Sequence, residues 1–485
     1  MVSIPTATWH RASKAESAEY LRLVAVPDGA KKSQLKKNSV LCIGEEQPKN
    51  WFTELQVLKG HFDIVRFLVQ IDDSRYASAG DDGLVLVWNI ETGEKLLEMR
   101  GHSQQITAMA TLTRVSGDTP HTSLVTASSD RSLSLWDPDT GNRVQTISDL
   151  QSSVKRTSED VFCVPQCLLV LERRSVWLSG GAELCVWNID FQLQCQRQNH
   201  SDIGITALVE LPKNCIAAAM DKEIVIYRLT ASADRSLSLA EVRCLSDHQD
   251  NIRTLIPVND GLFASGSHVG ELILWDSSDW NIMAYEHILW EESQADTQSE
   301  IRLGSPKPCE MSIQHLTTNG TLILAAVGSG LYVYSILTKT VVAYRRAAHD
   351  SNILHTMLLS DSELMSCSED GSVRMWEMQD LPLPAEVASP GFFGMWSFGR
   401  ASKQTEPPVR KITEVPNIRT LELTGDLIGH SGAVQMFLSF GEQGLVTCST
   451  DHLMILWKNG ERQSHLRSVA LFNKLEANEG LPLVG

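Results

Sequence analysis

Six histidines and five aspartates recur along this 485-residue chain ahead of an aromatic residue, all but one of the histidines at the same distance from it. The interval from His61 to Trp88 repeats unchanged from His200 to Tyr227, His248 to Trp275, His349 to Trp376 and His430 to Trp457. The interval from His102 to Trp136 is longer. Asp82, Asp130, Asp221, Asp370 and Asp451 each lie six residues before the aromatic, whereas Val269 holds that place before Trp275. Histidine and carboxylate are the groups of metal ligation and proton transfer. Their periodicity argues against both uses. One His and one Asp per repeated unit cannot converge on one ion or substrate, so each pair is expected to satisfy buried polar groups, at about 1 kcal/mol net. The repeat with Val269 is expected to lack the linkage. No GxSxG, HExxH, Walker-type GxxxxGK[ST] or GxGxxG site occurs. Gly328-Ser329-Gly330 reads as a turn without the helix that a phosphate site requires. The chain is expected to be no enzyme, with no catalytic residue, cofactor or metal.

Between each His and its aromatic lie short strand-like runs, such as residues 64–70, 75–80 and 84–88, separated by Gly, Asp and Ser. The longer spacing in the second repeat is assigned to a polar loop around residues 114–123. The pattern resembles the WD40 repeat family, whose unit opens on Gly-His and ends on Trp-Asp. Gly60-His61, Gly101-His102 and Gly429-His430 match the first element, and Trp136-Asp137 and Trp275-Asp276 the second. The Asp six residues before the aromatic is also a feature of that family. Two degenerate repeats, from about Leu168 to Trp187 and from Met311 to Tyr334, lack both His and Asp. Counting them gives eight units, and seven if one fails to fold as a blade. The resemblance implies an all-β, eight-bladed WD40 β-propeller closed by an N-terminal strand at residues 53–58, with a short C-terminal helix. Residues 51–460 would form the ring, after a disordered tail of 1–50 that carries Lys31, Lys32, Lys36 and Lys37. Residues 461–485 would be helix and tail, helical over 464–476, with Leu466, Val469, Leu471, Phe472 and Leu475 spread around most of the circumference.

Composition bounds the partners. The formal charge is 42 − 59 = −17, which argues against a nucleic-acid binder with a broad basic surface. Ten cysteines without a CxxC pair point to reduced, intracellular thiols, and residues 1–50 lack the apolar core of a secretory signal. Residues 311–338 carry no formal charge and are long enough to span a bilayer. Their two apolar runs, 321–327 and 331–336, are split by the Gly-Ser-Gly turn, so they read as a hairpin and not a transmembrane segment.

The largest departure from the repeat lies between Trp376 and His430, more than twice as far apart as the aromatic of any other unit and the His of a regular unit that directly follows it. Proline-rich flanks, Leu381-Pro-Leu-Pro384 and Glu406-Pro407-Pro408, enclose Phe392, Phe393, Met395, Trp396 and Phe398, followed by Arg400, Lys403, Arg410 and Lys411. Four rings of about 150–250 Å² each could bury some 600–1,000 Å². At about 25 cal/mol/Å² that is roughly 15–25 kcal/mol gross, against about 10–20 kcal/mol for ordering the segment, leaving a modest, reversible affinity. The loop, taken as residues 380–420, either folds back on its own blades or docks into a partner, with the basic cluster suiting an anionic membrane surface. A second insertion, about 279–308, reads as a strand plus a solvated loop, and 155–166 as a surface loop.

Within the family, residues 40–485 resemble one branch, through the order of regular and degenerate repeats and strings such as Gly266-Ser-His-Val-Gly-Glu-Leu-Ile273 and Ser368-Glu-Asp-Gly-Ser-Val-Arg374. That resemblance implies a scaffold subunit, acting on small GTPases and autophagy, in a complex with two DENN-domain proteins. One is the chromosome nine open reading frame 72 product, and the other the Smith–Magenis chromosome region candidate 8 protein. It further implies a cytoplasmic protein recruited to the lysosomal membrane surface. There Phe392, Phe393, Met395, Trp396, Phe398 and Arg400 would dock on a cationic amino-acid transporter. Leu55 and Val57 of the closing strand, with Leu466, Val469, Phe472 and Leu475, would face a DENN protein. Two rival propeller classes match less well. A cullin-ligase receptor would carry Trp-Asp-x-Arg, where Trp136-Asp-Pro-Asp139 and Trp275-Asp-Ser-Ser278 lack the Arg. A phosphoinositide-binding propeller would carry Arg-Arg-Gly, where Tyr344-Arg-Arg-Ala347 lacks the Gly.

Overall fold

The computed structural model describes residues 52–116, 119–148, 164–198, 204–232, 236–289, 311–380 and 418–479, with side chains left out at 114–120 and 472–479. They form eight four-stranded antiparallel sheets, covering 65–99, 106–147, 167–198, 205–245, 252–287, 313–345, 353–428, and 434–458 with Glu54–Leu58. We call these blades one to eight. The inner strand of each blade packs on the inner strand of the next, and that of blade eight returns to blade one. Both degenerate repeats are blades, so the count is eight and the seven-bladed alternative falls away.

The sequence pattern follows from this stacking. A blade is covered by a neighbour on each face, so its middle strands are apolar or small at every position instead of alternating. Cys215–Met220 is buried throughout, as is Arg75–Gly80 apart from its first residue. Outer strands such as Arg143–Ile147 are solvated. Eight hydrophobic clusters fill the eight seams, each drawn from two adjacent blades.

Ring closure occurs where the sequence placed it. Glu54–Leu58 pairs antiparallel with Met454–Lys458, from Glu54 opposite Lys458 to Leu58 opposite Met454. This supplies blade eight with its fourth strand and covers an otherwise open edge. Leu58 joins Leu456 and Val446 of blade eight and Leu86 and Trp88 of blade one in a single cluster. The apolar segment after residue 311 is the expected hairpin, Leu322–Val327 with Gly330–Ser335. No helix among the described residues is long and apolar enough to cross a membrane.

Two expectations need correction. The extra residues of blade two form no loop. Its first strands, Ile106–Ser116 and Thr119–Ser128, stay paired to the end, Ser116 opposite Thr119. The third strand, Leu133–Trp136, covers only Leu124–Ala127, so the remainder projects as a two-stranded ribbon. Its run of threonines and a valine, polar but β-branched, suits an extended ladder, and polarity alone was misleading. The C-terminal helix, α1 (Gly460–Glu479), is also longer than 464–476, beginning almost directly after the last strand.

Candidate interaction site

The repeated histidines build five side-chain relays. In blade one the Trp88 indole N–H donates to Ser78 Oγ at 2.9 Å, Ser78 meets His61 Nε2 at 2.7 Å, and His61 Nδ1 meets Asp82 at 2.8 Å. The same chain runs Trp136–Thr126–His102–Asp130, Trp376–Ser366–His349–Asp370 and Trp457–Thr447–His430–Asp451. Since the carboxylate can only accept, Nδ1 carries the imidazole proton; Nε2 of the neutral ring is then bare and accepts from the hydroxyl, which in turn accepts from the indole. Each carboxylate also accepts the backbone N–H that follows the histidine, from Phe62, Ser103, Asp350 or Ser431. In blades one, two and eight a glycine before the histidine lies under the indole: a Cβ on Gly429 would sit 3.0 Å from Trp457.

Burial alone would raise the Asp82 carboxyl, but the hydrogen bond and charge of His61 and two backbone N–H groups hold it below the usual carboxylate range. Burial likewise pulls His102, His248 and His430 below the ordinary imidazole value, against the attraction of their carboxylates. Every polar atom in these relays is engaged in holding strand to strand, so they position backbone and not substrate. The hydroxyl link was missed in the sequence, although Ser78, Thr126, Ser265, Ser366 and Thr447 all stand ten residues before their tryptophan.

Blade five corrects the expectation drawn from Val269. His248 Nδ1 meets Glu271 Oε2 at 3.1 Å, Nε2 meets Ser265 at 2.7 Å, and the Trp275 indole reaches the same serine at 2.8 Å. Glu271 is fully buried and accepts from Ser267, the Gln249 backbone and the Tyr285 hydroxyl. In blade four, Ala217 replaces the hydroxyl and Tyr227 the indole, while His200 lies outside the described residues.

With the relays accounted for, the exposed departures from the repeat remain. In an antiparallel blade the connections from first to second strand and from third to fourth lie at the same end. The ribbon of blade two, the root of the insertion in blade seven and α1 after the third strand of blade eight therefore share one face of the ring. At blade eight the closing strand and α1 are tied together. Arg467 of α1 forks onto Glu54 of the closing strand at 2.9 and 3.0 Å, the Gly460 N–H donates to Thr53 Oγ1 at 3.0 Å, and Lys458 Nζ donates to the Glu91 carbonyl of blade one. Gln56 reaches Thr92 and Leu58 enters the core with blade one, so Leu55 and Val57 point to the opposite face of the strand, where both are exposed. Leu466, Val469 and Leu471 are exposed on α1. Phe472 and Leu475 lie on the same helix, their side chains outside the described residues.

The root of the long insertion is ordered on both sides. Asp380 follows the third strand of blade seven, and its carboxylate accepts from Arg419 Nε at 2.9 Å. Arg419 also forms a parallel bridge with Ala343 of blade six, donating its N–H to Val342 at 2.7 Å. Arg345 of blade six lies over the Trp376 ring and donates to the Leu421 carbonyl at 2.8 Å. The segment thus springs from the outer seam of blades six and seven. Phe392, Phe393, Met395, Trp396, Phe398 and Arg400 lie outside the described residues.

Comparison with known proteins agrees with this architecture. A family model described as the WDR41 β-propeller matches residues 24–467. Human WD repeat-containing protein 41 is 55% identical over 452 residues, covering 92% of this chain and 96% of the relative. The mouse protein of the same name is 51% identical over 450 residues, covering 92% and 95%. Among solved structures, the computationally designed Ika8 protein superposes with a TM-score of 0.57 at 18% identity, covering 83% of this chain and 98% of that one, a likeness of fold alone.

Proposed function

The chain belongs to the WDR41 β-propeller family, and from that premise we propose that it is a non-catalytic scaffold subunit of a DENN-domain complex regulating small GTPases and autophagy. Two docking elements divide the work. The seam of blade eight holds a DENN partner, the chromosome nine open reading frame 72 product or the Smith–Magenis chromosome region candidate 8 protein. The aromatic insertion of blade seven brings the assembly from the cytoplasm to the lysosomal surface, on a cationic amino-acid transporter.

The observation that carries the reading is that Leu55 and Val57 of the closing strand and Leu466, Val469 and Leu471 of α1, two elements tied by Arg467 and Glu54, are all exposed. Solvated apolar residues scattered singly need no explanation, but a helix exposed along its described length and fixed beside an apolar edge strand asks for a partner. The roots of both elements emerge on one face, so one assembly could engage them together.

Two variants separate the elements. Replacing Phe392, Phe393, Trp396 and Phe398 with Ser is expected to abolish lysosomal co-purification while the DENN partners stay bound. Leu466→Glu with Val469→Glu is expected to release the DENN partners and leave the chain on lysosomes. Retention of the serine variant on lysosomes would remove the insertion from the scheme, and undiminished DENN binding by the glutamate variant would remove the seam.

A further inference from the structure

The inner strands of blades six, seven and eight, Ile313–Thr318, Ile353–Leu358 and Val434–Ser439, place His315, His355 and Met436 at equivalent positions, each just after a shift in register. This position has a task at the seams. Nothing pairs with the channel-facing edge of an inner strand, so its N–H groups need other acceptors. Met436 Sδ accepts the N–H of Leu68 in blade one at 3.1 Å. His315 Nδ1 accepts the N–H of Thr356 in blade seven at 3.3 Å and meets the Thr356 hydroxyl at 3.0 Å. An N–H can only donate, so His315 keeps Nδ1 bare and its proton on Nε2.

His355 closes the arrangement. Its ring lies 4.3 Å from that of His315 and 4.7 Å from Phe437 of blade eight, edge-on to the latter at 87°. Its Nδ1 is buried and has no hydrogen-bond partner among the described residues. Three rings from three blades thus form one column across two seams.

We propose that the adjoining imidazoles of His315 and His355 are an acid-sensitive latch joining blades six, seven and eight, closed while both rings are neutral. A proton on His315 Nδ1 would turn an acceptor into a donor facing the Thr356 N–H. A proton on His355 would place an unpaired charge in the wall, against a neighbouring ring. Once one ring is charged, the other resists its own proton, so the first uptake opens the latch.

The surroundings do not offset this. Cys367 stands opposite His355 in the next strand and Cys448 opposite Met436, both fully buried thiols. Glu363 begins the strand of Cys367, Asp370 lies beyond its end, and Arg253 lies on the inner strand of blade five. Burial holds His315 down to about 4, and burial with the neighbouring His315 ring holds His355 well below the ordinary value. Unfolded histidine titrates near 6.5, so between about 6.5 and 4 the open form binds more protons. The latch is therefore intact above that window and weakens as pH falls through it.

Native-state labelling of the full chain with 4,4′-dithiodipyridine, which modifies thiols in acid as well as at neutrality, reads the latch directly. Modification of Cys367 and Cys448 is compared by peptide mapping with Cys215, buried in blade four. From pH 7.5 to 5.0 the ratio of Cys367 to Cys215 labelling should rise about tenfold or more. In the double variant His315→Gln, His355→Phe, which removes both titrating rings while the Gln amide oxygen can still accept the Thr356 N–H, the ratio should change less than twofold. If that variant does not fold, His355→Phe alone, which removes one of the two rings, should show a rise no more than about a third of that in the wild type. A flat ratio in the wild type, an equal rise in the variant, or a parallel rise at all three thiols would each overturn the proposal.

Discussion

His248 and Glu271 meet at 3.1 Å in the interior of blade five, although the glutamate stands two residues beyond the place where other blades carry aspartate. The equivalents of Glu271 in blades two and seven are Ser132 and Ser372, whose hydroxyls lie 3.0 and 3.2 Å from the matching histidine. That position already faces the imidazole, and the longer glutamate delivers its carboxylate to the same point. Glu271→Ala should therefore cost about 2–4 kcal/mol, leaving His248, Ser267 and the Gln249 N–H short of a partner. The double change Val269→Asp, Glu271→Ser, which rebuilds the arrangement of blades two and seven, should recover most of it. Urea unfolding of the three proteins tests this, and a loss below about 0.5 kcal/mol for Glu271→Ala would show that the carboxylate is dispensable.

The hydroxyl between indole and imidazole is expected to matter as much as the carboxylate. Ser366→Ala strands both the Trp376 N–H and His349 Nε2, and should destabilise by about 1–3 kcal/mol. Ser366→Thr should be tolerated, since Thr126 and Thr447 do the same work. Midpoints of thermal unfolding, compared at one pH, decide between these outcomes.

Acid should dissolve the relays from the carboxylate side. Asp82, Asp130, Asp451 and Glu271 titrate below their ordinary values, burial being outweighed by hydrogen bonds to the charged form. Their contribution is fully present above the unfolded carboxylate values of about 3.9–4.3 and disappears as pH falls through the folded ones. In a urea series between pH 5 and 2, Asp82→Asn should begin less stable than the wild type and lose less on acidification. Parallel curves would contradict the assignment.

Without residues 52–58, blade eight keeps three strands and exposes the edge of Met454–Lys458, together with the core that Leu58 covers. Such a chain should lose its single cooperative transition and aggregate, as unpaired edges do. Arg467→Ala should leave the transition intact, because an exposed ion pair is worth only about 0–1 kcal/mol. Size-exclusion chromatography beside urea unfolding distinguishes the two.

The clasp between Asp380 and Arg419 joins the two roots of the insertion. Arg419→Asp should weaken the proposed lysosomal recruitment about two- to fivefold with the aromatic residues untouched, in keeping with an exposed charge pair. Adding Asp380→Arg should restore it. Failure of the reversed pair to recover binding would assign the loss to something other than the clasp.

The spacing of His, Asp and aromatic along the chain determined the six regular repeats, and the strand-like runs between them marked two more, because each blade is a local unit whose hydrogen bonds recur within one short stretch of chain; the structure decided that both degenerate repeats are blades. Tertiary structure decided what crosses blades or depends on side-chain reach. Glu271 could replace an aspartate only because its position faces His248, and no spacing rule counts side-chain length. The polar residues of blade two continued a ladder because two strands were already in register. His315 and His355, one whole blade apart in sequence, became neighbours only when two inner strands met at a seam, as did Ala343 and Arg419 at the outer edge. A repeat writes its own hydrogen bonds into its sequence, whereas contacts between repeats exist only once the ring has closed.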